Sequence, residues 1–143
     1  MRVAINTCYG GFGLSTKAHL LYCKKKYGEA YLYKKENNQY QKVANDYIPQ
    51  EALEDLYITF KDLGDDIIYD FEDIEDYVVW EYEICSSNNR TDPILIDVIT
   101  ELGHEADGDY ASLKIVDVPD DIEWYIDDYD GRESINEKHR SWS

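Results

Sequence analysis

Basic residues are scarce in this chain of 143 residues: 14 Lys and Arg stand against 31 Asp and Glu, a formal net charge of −17. A field of that sign repels nucleic acid and acidic membranes and counts against direct duplex binding; it attracts basic surfaces with fast, salt-sensitive kinetics. Cysteine is equally sparse. The three residues Cys8, Cys23 and Cys85 include no CxxC pair, which fits reduced thiols in a cytoplasm. His19 and Cys23, four apart on one helix face, supply half of a zinc site, and no second pair with ligand spacing completes it. No metal and no cofactor are therefore expected. No apolar run approaches the ~20 residues of a membrane span and no secretory signal is seen, so a soluble, intracellular protein without a membrane partner is expected. Neither GxGxxG nor GxxxxGK[ST] occurs, which argues against a dinucleotide fold or an NTPase. Linkers, repeats and long low-complexity tracts are missing too, so residues 1–143 read as a single domain.

What is present is uneven charge and abundant tyrosine. Residues 1–50 hold eight basic residues against three acids, and residues 51–143 hold six against 28. Tyr supplies 14 of the 20 aromatic side chains, and such rings bury their faces while keeping their hydroxyls wet.

The patterning predicts an α+β fold: a mostly antiparallel sheet, two main helices and a short C-terminal helix. Arg2–Asn6 reads as a strand ended by a Gly-rich loop. Ser15 or Thr16 caps a helix running to Lys26 and closed by Gly28. A hairpin follows, Ala30–Lys34 with Tyr40–Ala44 across Glu36-Asn37-Asn38-Gln39. Leu56–Lys61, Ile67–Phe71 and Tyr77–Ile84 read as strands, with a short acidic helical turn at Glu72–Asp76. Thr91 or Asp92 caps the second helix, Pro93 at its first position and Gly103 just past its end. Leu113–Val118 and Ile122–Ile126 alternate as strands, Asp130-Gly131 is a turn, and Arg132–His139 reads as the short helix.

Three constellations carry chemistry. The segment Asn6–Ser15 places Gly10, Gly11 and Gly13 between strand and helix, where backbone N–H groups and the helix N-terminus can hold a phosphate or carboxylate near Ser15. The same glycines serve equally as a tight turn. Cys8 in this loop is a candidate nucleophile only if a His base lies near it. The acid-rich stretches 65–76 and 127–130 lack the EF-hand pattern; they form either solvated faces or a DNA-like charge array for a basic cleft. Finally Tyr129, His139, Arg140 and Trp142 cluster near the C-terminal turn, side chains suited to stacking a base and pairing a phosphate. Arg90 is a lone cation in the acidic half, read either as an ion-pair hub or as an anion contact.

The opening NTCYGGFGLS (Asn6–Ser15), the run from Arg90-Thr91-Asp92-Pro93 to Glu101-Leu102-Gly103, Asp120–Trp124, Tyr129-Asp130-Gly131 and EKHRSW (Glu137–Trp142) resemble a family of small proteins in tailed phages and prophages. The resemblance implies an accessory protein made in the host bacterial cytoplasm, of a kind that often counters host defence, and carries no residue roles with it. Two binding functions follow. The first is a non-enzymatic sponge for a small nucleotide-type immune signal, of the cyclic nucleotide or cyclic ADP-ribose class. Its candidate ligand-binding residues are Gly10, Gly11, Phe12, Gly13, Ser15, Arg90, Tyr129, His139, Arg140 and Trp142, in a pocket that a homo-oligomer could complete. The second is an acidic protein inhibitor or DNA mimic that blocks a basic host nuclease or defence effector. An enzyme using Cys8, or a carboxylate with His139, ranks below both, and no catalytic residue is assigned.

Overall fold

A computed structural model describes residues 1–49 and 55–138. The chain is α+β, and it divides into two compact units, residues 1–18 with 82–143 and residues 19–81. This division cuts across the charge gradient of the sequence. Seven basic residues meet sixteen acids in the first unit and fifteen in the second, −9 and −8. The weakly basic beginning of the chain is thus shared between two acidic bodies.

In the first unit β1 (Arg2–Asn6) pairs antiparallel with β5 (Leu113–Asp117), Arg2 opposite Asp117 and Asn6 opposite Leu113. Four consecutive residues of β1, Val3 to Asn6, are buried, because helix α4 (Pro93–Leu102) and strand β7 (Arg132–Glu137) both lie against it. The α4 signals work as the sequence predicts: the Asp92 side chain accepts from the Ile94 N–H at 2.9 Å and Gly103 ends the helix at φ +57. Leu95, Ile96, Val98 and Ile99 form its buried face. Strand β6 (Trp124–Tyr129) pairs with β7. Val3, Ile5 and Val118 are the buried centre against which Trp124, Ile126 and Ile135 pack.

The expected C-terminal helix at Arg132–His139 is corrected by β7. Asp130 and Gly131 both take positive φ, +51 and +87. That turn has the twist that joins two antiparallel strands and pairs Tyr129 with Arg132. With Glu133 and Ile135 alternating inward, the segment is committed to period two.

In the second unit β2 (Tyr31–Glu36) lies between β3 (Gln39–Val43) and β4 (Asp55–Thr59), all antiparallel. Asn37 and Asn38 form the predicted hairpin turn at φ +52 and +59. Helix α1 (Thr16–Tyr27) enters this unit at His19 and ends where Gly28, at φ +85, donates to the Lys24 carbonyl at 2.8 Å. Tyrosine builds the core: Tyr33 and Tyr40 are buried with Ile74 and Val78. The Tyr33 hydroxyl donates to the Gly64 carbonyl at 3.2 Å and accepts from the Leu63 N–H at 3.0 Å, so its burial leaves no orphaned polar atom.

Two expected strands shrink. Ile67–Phe71 contributes a single bridge, Ile68 to Tyr40, before the acidic turn α2 (Glu72–Glu75) begins. Tyr77–Ile84 contributes Val78 bridging Thr59, with Val79 N–H donating to Ile58, and then becomes the helical turn α3 (Glu81–Ile84). Ile67–Tyr69 and Tyr77–Trp80 are unbroken apolar runs with no polar face to hold a strand in register, whereas Trp80–Ile84 alternates and still closes as a helical turn from Glu81.

His19 and Cys23 are both engaged inside this unit. His19 Nε2 lies 2.6 Å from the Val79 carbonyl, which requires the Nε2–H tautomer. The single S–H of Cys23 has the carbonyls of Glu29 and Thr59 within reach, at 3.3 and 3.5 Å. Burial lowers the His19 pKa from its ordinary 6.5, so near pH 6 the folded state binds fewer protons than the unfolded one. Its contribution to stability is full above pH 6.5 and is lost as pH falls through the lowered folded value. In urea unfolding between pH 7.5 and pH 5, the wild type should lose stability relative to His19→Gln by at most about 1.4 kcal/mol per pH unit. Parallel pH profiles would refute it.

Candidate functional site: a buried polar hub under an exposed tyrosine rim

The strand β1 delivers Asn6, fully buried, to the start of the glycine loop. Its amide side chain is completely used. Nδ2 donates to the carbonyls of Cys8 and Gly131, both at 2.7 Å, and Oδ1 accepts from the N–H groups of Cys8 and Ser112 at 3.2 and 2.8 Å. Its own N–H donates to Glu133 Oε1 at 2.8 Å. That carboxylate in turn pairs directly with the Arg90 guanidinium. Arg90 Nε donates to the Cys85 carbonyl at 3.1 Å, and its Nη1 reaches the Ala4 carbonyl at 3.4 Å. The Phe12 ring lies 3.7 Å below the guanidinium. Arg90 and Glu133 are 4% and 8% exposed, which places the pair in the regime where desolvation is offset only by full hydrogen bonding.

The glycines owe their place to close backbone approach. A side chain on Gly131 would overlap the backbone of Gly10 and Gly11, one on Gly108 would strike Gly13, and one on Gly10 would meet Tyr110. Gly10 donates its N–H to the Asp130 carbonyl at 3.2 Å, and Gly108 donates to Gly13 at 2.9 Å. Ser15 caps α1 by accepting from the Ala18 N–H at 3.1 Å, donates its hydroxyl to the Glu105 carbonyl at 2.6 Å and its N–H to Ala106 at 2.9 Å. Thus the N–H of Gly10, the N–H and hydroxyl of Ser15, and Nε and Nη1 of Arg90 are engaged within the unit, and Phe12 serves as the face on which Arg90 stacks. Of the C-terminal candidates, Tyr129 is exposed at the hairpin tip; His139, Arg140 and Trp142 lie outside the described residues.

Above this hub the loop and the hairpin present a rim that sequence reasoning did not assemble. Tyr9, Tyr110 and Tyr129 are 56%, 76% and 71% exposed. Tyr9 and Tyr129 meet edge to face at 6.4 Å, and the Arg132 guanidinium lies 5.8 Å from the Tyr9 ring centre. Exposed Asp109, Asp128 and Asp130 adjoin these rings in the chain. Asp128 also accepts from the Gly131 N–H at 2.8 Å, holding the turn. Cys8 is exposed beside Tyr9. The signal in the sequence was faint: Tyr9 lies inside the glycine motif, and Tyr110 follows Gly108 at a distance of a hundred residues.

Comparison of the chain with protein families, with curated proteins and with solved structures finds no match. Among the described residues no helix is long and apolar enough to cross a membrane, and no group of three His, Cys, Asp or Glu side chains is placed to hold a metal.

Removing one member of the buried pair should be costly. Glu133→Ala should lower the unfolding free energy by about 3–5 kcal/mol, whereas the double replacement Arg90→Met with Glu133→Leu should recover most of that loss. Denaturant titration of the three proteins checks both. A second outcome concerns the thiols: burial pushes Cys23 up to about 12, so a thiol reagent at pH 8 should modify exposed Cys8 first and reach Cys23 only on unfolding. Equal rates would contradict the placement of Cys23.

Proposed function

We propose that this chain is a non-enzymatic binding protein that uses its acidic surface to block a basic partner, of the anti-defence kind implied by the resemblance of its end motifs to tailed-phage proteins. On this reading it works in the host bacterial cytoplasm on a basic nuclease or defence effector. The observation that carries the reading is the tyrosine rim: three exposed rings interleaved with carboxylates, on a unit of charge −9. Carboxylates raise the rate of encounter with a basic surface, and tyrosines contribute contact area with little side-chain entropy to lose. Arg90, one of the two arginines that the sequence offers to an anion, is engaged by Glu133, which weakens the case for an anionic ligand at that residue.

One observation keeps the nucleotide sponge as a second reading. Exposed Arg132 over Tyr9 combines a cation with a stacking face. The two readings separate by salt and by cargo. Affinity capture by the full chain from a bacterial lysate should retain one basic protein at about 50 mM salt and lose it by about 300 mM. Native mass spectrometry of gently purified protein should then show no bound nucleotide. Stoichiometric release of a nucleotide, with no salt-sensitive protein partner, would replace the first reading by the second.

A further inference from the structure

Resting on the acidic-inhibitor reading, we propose that the Tyr9–Tyr129 rim is an arginine-recognition site, which selects a partner segment carrying arginine over one carrying lysine. The glycine loop already pairs an aromatic ring with a guanidinium twice. Phe12 carries Arg90 in the buried hub at 3.7 Å, and Tyr9 carries Arg132 at the surface at 5.8 Å. The second pair is the informative one. Arg132 is exposed, on the first residue of β7, and its guanidinium sits near a ring that is itself 56% exposed. It occupies the position that an incoming guanidinium would take, as an internal stand-in for the partner's side chain.

The chemistry around the rings selects the same group. A guanidinium is planar, weakly hydrated and stacks on an aromatic face while its edge donates to carboxylates; an ammonium is a compact, strongly hydrated point charge. Tyr9 and Tyr129 meet edge to face, so their ring faces are turned through 73° from one another. Asp128 and Asp130 bracket Tyr129 in the chain and are exposed with it. Asp130 is held at φ +51, and its carbonyl is tied to the Gly10 N–H, so the tip that carries Tyr129 and the carboxylates is fastened to the loop that carries Tyr9. A second copy of the chain is disfavoured as the occupant, because two molecules of charge −17 repel.

The test titrates the full chain with an arginine-rich peptide and a lysine-rich peptide of equal length and charge, at low and moderate salt. The wild type should bind the arginine peptide about fivefold to tenfold more tightly. Tyr9→Ala with Tyr129→Ala should bring the ratio to about one while leaving the salt dependence of both peptides in place. Both rings are exposed, so thermal melting should show the double variant folded. Arg132→Ala removes the stand-in: both peptides gain from the lost positive charge, but the arginine peptide gains more, and the excess vanishes in a Tyr9→Ala background. Equal affinity of the wild type for the two peptides overturns the proposal. So does a preference that survives in the double variant, or a wild-type dimer in sedimentation that the double variant dissolves. If the double variant still captures the salt-sensitive lysate partner, this site is wrong and the acidic-inhibitor reading stands; if the wild type captures none, that reading itself falls.

Discussion

The buried pairing of Arg90 with Glu133, completed by Asn6, is the constraint on which the first unit depends. Four stretches far apart in sequence converge on these three side chains: the end of β1 with the glycine loop that follows it, residues 85–90, Ser112 and the start of β7. A buried ion pair contributes little net stability compared with an apolar replacement, but displacing either partner leaves an uncompensated buried charge. The consequence is positional. With the hub satisfied, the Asp130-Gly131 tip is pinned against Gly10 and Gly11, and the exposed rings of Tyr9 and Tyr129 are brought together.

The N–H of Gly10 is used differently here from an N–H in a phosphate loop. In an anion cradle, glycines free backbone N–H groups to point at a ligand. At Gly10 the N–H points instead at the Asp130 carbonyl, and the missing side chains let three backbone segments touch. The same local sequence is compatible with both uses. Which one applies depends on whether another piece of chain arrives: the Asp130 carbonyl takes the Gly10 N–H, and Gly108 donates into the loop at the Gly13 carbonyl.

Tyrosine serves two roles in this chain. The second unit uses part of its tyrosine as core, with Tyr33 and Tyr40 buried and Tyr57 edge-on against Tyr40 and Trp80, and leaves Tyr27 and Tyr69 exposed. The first unit leaves Tyr9, Tyr110 and Tyr129 in solvent around a polar centre. Tyrosine count alone does not separate these uses, because the ring is equally suited to a half-wet core and to a contact surface.

Local rules in the sequence sufficed for elements whose signals lie within a few residues. Asp92-Pro93 with Gly103 bounds α4, Ser15 with Gly28 bounds α1, and Asn37-Asn38 turns the β2–β3 hairpin. Each rests on a capping hydrogen bond or a positive φ that its own residues provide. Arg132–His139 reads as helix in the sequence because Glu133, the one acid that β7 turns inward, looks like a surface residue until Arg90 is placed beside it. The long-range facts were beyond reach for the same reason. That β1 is covered on both faces, that the basic beginning of the chain is divided between two acidic units, and that Tyr9 meets Tyr129 all depend on contacts between residues about a hundred positions apart. Sequence patterning determined where the chain turns, caps and starts its helices; only the tertiary structure decided which charges are buried against each other and which rings are left facing water, since desolvation and pairing act on neighbours in space.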